Sequence, residues 1–404
     1  MKIRSILTLA AVAGLFAAGG CNGPTKAGLE ARANAQERIA DFGAEFTYDQ
    51  ARQEFEVGQF KRALRTIDQA IAARPTVGEF HVLRGRILLE TGRLEAAAAS
   101  FQTAAEQNES LAEAYYYQGI VHQRWNEDEQ AFDAYARAFE LERDNVQYLL
   151  ASAEALVAFG QYAQAREKLE DRMVYFENNS AMRHLLAQIA VLEGDDERAA
   201  ELYDEARVLD PEDAHLLEEH AWVQYDAHRF GPCLETIKQL KSTSTTPRPD
   251  LDHLEARCLA MLDRSNEAYS KYINLSQDDP NNVSIWIEMG TLAWRLGDHR
   301  RMAECSQRTI ELAPDRFEGY MLKGLFERHR GRLDQAIEQL ENAAQRSLSS
   351  ALPHMLLGQT LEDAGRQESA LAIYGHACRI EPANSDAEML RNQLAAKMEV
   401  ASAE

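Results

Sequence analysis

The 404-residue chain lacks every short motif that carries enzyme chemistry. It has no Gly-rich phosphate loop, no Cys-x-x-Cys pair, no His-Glu-x-x-His helix and no Gly-x-Ser-x-Gly elbow, each of which would hold reactive groups at a fixed spacing. His215, His220 and His228 lie close in sequence, but not at the i, i+4 spacing that puts two ligands on one helix face. The many Asp and Glu residues pair along helix faces with no constellation around them. The chain therefore reads as a non-enzyme, with no cofactor and no metal. Basic charge is scarce too: 43 Lys and Arg stand against 65 Asp and Glu, a net charge of −22. With no basic stripe, nucleic acid and anionic lipid surfaces are excluded as electrostatic partners. Beyond the first residues no apolar run is long enough to cross a bilayer as a helix.

What the chain has in abundance is itself. From Ala44 to Asn384 it repeats with a period of 34 residues, in ten copies starting near Ala44, Gly78, Ala112, Val146, Ser180, Ala214, Pro249, Val283, Phe317 and Ala351. Numbering each copy from 1, position 8 is always small: Gly85, Gly119, Ala187, Ala221, Ala256, Gly290, Gly324 and Gly358. Position 20 is Ala63, Ala97, Ala131, Ala165, Ala199, Ala268, Ala336 and Ala370, and position 24 supplies bulk through residues such as Phe101, Tyr135, Tyr203, Tyr272 and Tyr374. Gly58, Gly92, Gly160, Gly194, Gly297, Gly331 and Gly365 fall at position 15, where a chain leaving one helix turns left-handed before the next. Proline at position 32 (Pro75, Pro211, Pro280, Pro314, Pro382) ends the second helix.

Period, small-against-large pairing and turn residues together resemble the tetratricopeptide repeat. The resemblance implies an all-α, right-handed superhelical solenoid of about ten helical hairpins, divided as repeats one to six over residues 44–247 and seven to ten over residues 248–384. An extra residue and a Ser/Thr/Pro-rich stretch, Lys241–Asp250, separate the two sets and read as a lengthened turn. The seventh copy is the poorest, with Asp252 and Glu255 at packing positions 4 and 7. Residues 385–404 keep apolar spacing through Ala387, Leu390, Leu394 and Met398 and suit a capping helix. Only four cysteines follow Cys21: Cys233, Cys258, Cys305 and Cys378. In the resembled fold the helices bearing Cys233 and Cys258 are neighbours, which makes that pair a possible disulfide.

The N-terminus reads as targeting sequence. Lys2 and Arg4 precede an apolar run, Ile6–Ala18, that ends in Gly19-Gly20-Cys21. This resembles the signal and lipobox of bacterial lipoproteins, in which the peptide (here residues 1–20) is removed and Cys21 carries the lipid. Residues 21–43 would then be tether and lead-in helix. Membrane attachment would rest on that lipid alone, and Asn22 after the cysteine resembles lipoproteins sent to an outer membrane, facing the periplasm.

In tetratricopeptide arrays the first helix of each hairpin lines a concave groove through positions 2, 5, 9, 12 and 13. Here those positions bring Tyr116, Trp222, Tyr225, Arg257, Ile287, Trp294, Met321 and Leu325 to the expected partner face. Aromatic and Met side chains rimmed by charge are how proteins hold peptide or protein partners. The Lys/Asn/Arg clamp of the chaperone-tail arrays is not reproduced by Tyr48, Arg52, Val82 and Arg86, which favours an extended or helical apolar segment over a terminal carboxylate. Three functions fit: a lipoprotein scaffold for an envelope machine such as a pilus or secretion system, an adaptor in exopolysaccharide export or cell-wall synthesis, or a soluble periplasmic peptide-binding regulator.

Overall fold

The computed structural model describes residues 25–403. The signal peptide expected at residues 1–20 and the lipidation expected at Cys21 fall outside the described residues. The chain divides into two compact units, one running to Glu177 and the other from Asn178. The first contains four hairpins: α1 (Lys26–Glu56) with α2 (Phe60–Ala73), α3 (Gly78–Glu90) with α4 (Leu94–Gln107), α5 (Ala112–Arg124) with α6 (Asp128–Leu141), and α7 (Val146–Ala158) with α8 (Tyr162–Glu170). A short 3₁₀ turn, Met173–Phe176, follows α8. The second unit begins with α9 (Ser180–Glu193) and α10 (Asp196–Leu209), α11 (Ala214–Asp226) and α12 (Phe230–Thr243), and α13 (Pro249–Met261) and α14 (Ser265–Asp278). It continues with α15 (Val283–Leu296) and α16 (His299–Leu312), α17 (Phe317–His329) and α18 (Leu333–Arg346), and α19 (Leu352–Asp363) and α20 (Gln367–Ile380), then ends in α21 (Ser385–Ala403). No strand occurs among the described residues. Each unit is a stack of helical hairpins, as a helical solenoid requires, and the lead-in segment is continuous with the first repeat in α1.

The repeat's small and large positions lock together. A Cβ added at Gly85 would lie 2.4 Å from the Phe101 ring, one at Gly119 2.5 Å from Tyr135, and one at Gly358 2.4 Å from Tyr374. Position 24 of the second helix thus fills the space that position 8 of the first leaves open. The eight alanines at position 20 are all fully buried, and the two larger substitutes there, Cys233 and Met302, are equally covered. Fully burying each large position-24 side chain contributes about 1.5–3 kcal/mol. The tyrosines among them keep their hydroxyls satisfied: Tyr135 donates to Gln123 at 3.1 Å and Tyr374 to Glu362 at 2.6 Å.

Position 15 is left-handed in all ten copies. The seven glycines there have φ between 70° and 79°. In the other three copies Asn126, His228 and Asp263 take the same turn at φ 58–59°, a region open to few residue types besides glycine, these three among them.

The anomalous seventh repeat is held by charge. Asp252 and Glu255 on α13 face Lys241 of α12 and Lys271 of α14, with Lys241 Nζ 2.9 Å and Lys271 Nζ 2.7 Å from Glu255 Oε2. Four ionic groups thus meet between α12, α13 and α14. At the C-terminal end, α21 buries Ala387 and Leu394 and lays Leu390 and Met398 against the cluster of Leu322, Leu340 and Tyr374.

Candidate partner-binding face

Odd-numbered helices of successive hairpins touch directly (α1–α3 and α3–α5 in the first unit, α15–α17 and α17–α19 in the second), more extensively than any even-numbered pair. The odd helices therefore line the inner side of each stack. The 34-residue period sets which side chains meet there: residues 31 or 35 apart face each other on neighbouring odd helices. In the first unit Gln147 donates to Tyr116 Oη at 2.8 Å. In the second, Arg257 donates twice to Glu288 Oε1 at 3.0 and 2.6 Å, Arg295 donates to the Ala260 carbonyl at 3.1 Å, and Arg328 to Asp363 at 2.7 Å.

Seven of the eight sequence-predicted partner residues belong to the second unit, and Tyr116 to the first. Tyr116 is half-buried within 5.0–5.6 Å of the rings of Tyr117, Tyr135 and Tyr148, so it packs helices together. Trp222 is half-buried against the cluster of Leu217, Ile237 and Leu254, and Tyr225 meets Phe230 edge-on at 5.5 Å. Ile287 is half-buried, and Trp294 keeps 38% of its surface exposed.

Met321 and Leu325 were misplaced by the sequence reading. They are only 5% and 7% exposed and sit in one apolar cluster with Leu356, Leu361 and Leu394. Repeat position sets the side of a helix, but here α17 packs on α18 and α19, and both residues are taken into the shared cluster. Cys233 and Cys258 are brought together, with Sγ atoms 3.3 Å apart and fully buried, yet they are free thiols rather than a disulfide. The hydrogen bond from Cys258, then burial, pushes the Cys233 thiol up, away from thiolate character.

Tyr225 and Arg257 line an open cavity of about 370 Å³ together with Met261, Tyr272, Glu288, Thr291, Leu292 and Arg295. Its floor is a charged network on α13, α14 and α15. Glu288 accepts from Arg257 and from Tyr272 Oη at 3.1 Å, and its Oε2 lies 2.6 Å from His253 Nε2. Burial pushes the Glu288 carboxyl up, but the bonds from His253 and Arg257 outweigh it and hold the group below its ordinary range. The Arg257 fork is spent on Glu288, so the cavity offers a rigid floor with Met261, 51% exposed, and Trp294 as apolar surface on the same two helices. Two larger notches, of about 620 and 600 Å³, lie around polar residues of α14 and around α18–α20. Neither contains a residue expected at the partner face, whereas the smaller cavity takes Tyr225 and Arg257 into its lining and is the better candidate.

Sequence reasoning missed His253, Glu288 and a second set of the same design, in which His184 and Glu219 join Tyr203, expected only as packing bulk, and His215, set aside because no second histidine stands four residues away. Tyr203 Oη donates to Glu219 Oε2 at 3.0 Å, and His184 Nε2 contacts the same carboxylate. The signal was present at a longer stride, since His184 to Glu219 and His253 to Glu288 are each 35 residues apart. His220 is fully buried, with its ring stacked on Tyr203 at 5.8 Å.

An array of helical hairpins whose inner side sets paired charges beside exposed apolar side chains such as Met261 and Trp294 is a repeat scaffold of the protein-binding class. Tetratricopeptide repeat family models match residues 48–112, 150–214 and 287–353, and a further one matches residues 353–384. Together they take in more than half of the chain, which belongs to the tetratricopeptide repeat family. Among solved structures it is similar to yeast Tom70, at 12% identity over 89% of each chain with a TM-score of 0.46. It is also similar to a tetratricopeptide repeat protein from Parabacteroides merdae, at 15% identity over 62% of this chain and 98% of that one, TM-score 0.44. Pseudomonas aeruginosa pilF is similar at 18% identity, over 50% of this chain and 92% of that one, TM-score 0.41. No curated protein matches the chain in sequence.

Proposed function

We propose that the chain is a lipid-anchored scaffold of the bacterial envelope that docks a protein or peptide segment on the odd-helix side of its second unit, in the assembly of an envelope machine such as a pilus or secretion system. The observation that carries the docking site is the cavity of about 370 Å³ lined from α11, α13, α14 and α15, whose charged floor is internally neutralised and whose wall leaves Met261 exposed, with Trp294 exposed on the same helix as Leu292 and Arg295. Such a surface favours an apolar segment, because its ions are paired among themselves and its free valence is hydrophobic contact. The envelope setting rests on the Gly19-Gly20-Cys21 lipobox and the apolar run before it. No helix among the described residues is long and apolar enough to cross a membrane, so the attachment falls to Cys21.

Two experiments separate the parts of this reading. Cys21→Ser should move the protein from the membrane to the soluble fraction; persistence at the membrane removes the lipid anchor. Mild-detergent co-purification of wild type beside Trp222→Ala/Trp294→Ala should lose one partner from the double variant only. A partner retained equally by both shifts the docking site off this face.

A further inference from the structure

We propose that His184, His215 and Glu219 form a binding site for a divalent transition-metal ion, zinc foremost, on the odd-helix side of the second unit. One donor atom from each of the three lies within 4.8 Å of the others. His184 comes from α9, while His215 and Glu219 come from α11 at i, i+4, which sets them on one helix face. His184 Nε2 contacts Glu219 Oε2, and His215 Nδ1 lies 3.7 Å from Glu219 Oε1. Donors held by one zinc at about 2 Å stand roughly 3–4 Å from one another, so small side-chain shifts complete the geometry. Two imidazoles and one carboxylate form a borderline donor set that suits zinc and its neighbours; calcium and magnesium want oxygens alone.

The surroundings are those of a supported site. Tyr203 donates to Glu219 Oε2 at 3.0 Å, while Gln188 Nε2 lies 3.4 Å from both carboxylate oxygens and 3.2 Å from His184 Nε2, so the Gln188 amide turns aside when an ion takes these donors. The His215 side chain is 73% exposed, so a fourth position opens to solvent.

The chain contains its own control. Two repeats on, His253, Tyr272 and Glu288 occupy the register of His184, Tyr203 and Glu219. There the residue matching Gln188 is Arg257, which donates two bonds to Glu288, and the residue matching His215 is Ser284. That copy neutralises its carboxylate with a built-in cation. The copy at Glu219 has lost the cation and gained a second imidazole, the two changes that turn a packing network into a cation site. A bound ion would join α9 to α11 and so reinforce the stacking of successive hairpins.

The test is titration of the untagged, chelator-treated full chain with Zn²⁺ by calorimetry and with Co²⁺ by visible absorption. One equivalent should bind, with Co²⁺ d–d bands of a low-coordinate nitrogen–oxygen site. His215→Ala removes an exposed ligand without touching the core, and should weaken binding more than about tenfold, since even outer-shell partners of a ligand cost roughly 10–100-fold. Glu219→Gln should do the same, and His253→Ala should leave binding unchanged. Absence of saturable binding, or binding equal in wild type and His215→Ala, overturns the proposal.

Discussion

Replacing a helical glycine by alanine should destabilise the protein at Gly85 and stabilise it at Gly43, and the contrast isolates the packing rule of the repeat. Both glycines lie inside helices, so alanine gains about 1 kcal/mol of helix propensity at either site. Nothing lies within 4 Å of a Cβ built at Gly43. At Gly85 the new methyl meets Phe101 Cε1 at 2.4 Å and Cδ1 and Cζ at 2.7 Å, against a ring that is fully buried and stacked on Tyr117 at 5.2 Å. The ring has no free side to turn toward, so the hairpin must open. Overpacking of this kind costs about 1–3 kcal/mol, so after the propensity gain the net effect runs from about zero to a loss of roughly 2 kcal/mol, against a gain of about 1 kcal/mol at Gly43. Because each repeat couples mainly to its neighbours, the loss should concentrate in α3 and α4 and be read there by amide hydrogen exchange beside urea unfolding. Phe101→Leu should recover part of it, with a coupling above about 0.5 kcal/mol in a double-mutant cycle. A Gly85→Ala protein as stabilised as Gly43→Ala would refute the position-8 to position-24 lock.

Asp263→Gly should raise the urea midpoint by an amount worth up to about 1 kcal/mol, because it relieves a side chain held at φ 58°. Burial, then the neighbouring His376 with its ring stacked at 4.8 Å, holds His354 below the ordinary imidazole range. The unfolded chain therefore takes up the proton first as pH falls, so stability should drop between about pH 7.5 and about 5.5, and His354→Phe should flatten that slope in urea titrations at the two pH values. Alkylation of the folded protein should spare Cys233, Cys258 and Cys305, all fully buried, while the partly exposed Cys378 reacts first; equal labelling before and after unfolding would contradict the packing at positions 10 and 20.

The hairpin array was legible because its constraints are steric and recur at one stride. Gly85 has to be small where Phe101 is large, and nine of the ten copies repeat that pairing; in the eighth, position 24 is Ser306, and Leu322 and Cys305 close on Gly290 instead. The left-handed turn was legible in seven copies and hidden in three, since Asn126, His228 and Asp263 tolerate the conformation without announcing it. The inner face was legible only as a direction. Trp294 stays on it, whereas Met321 and Leu325 are buried in the cluster that α17 shares with α18 and α19, whose bulk a position number does not carry. Pairings such as His184 with Glu219 escaped because their partners are a whole repeat away and form no local motif.

The account turns on whether the odd-helix face of the second unit meets a partner. A photo-crosslinking residue placed at Trp294, in the native host, tests this beside the same residue at Val208, which is 79% exposed on α10. The account predicts one polypeptide captured from position 294, lost when Tyr225→Ala is added, and not captured from position 208. Capture from position 208 with none from position 294 would put the binding surface on the opposite side of the stack and contradict it.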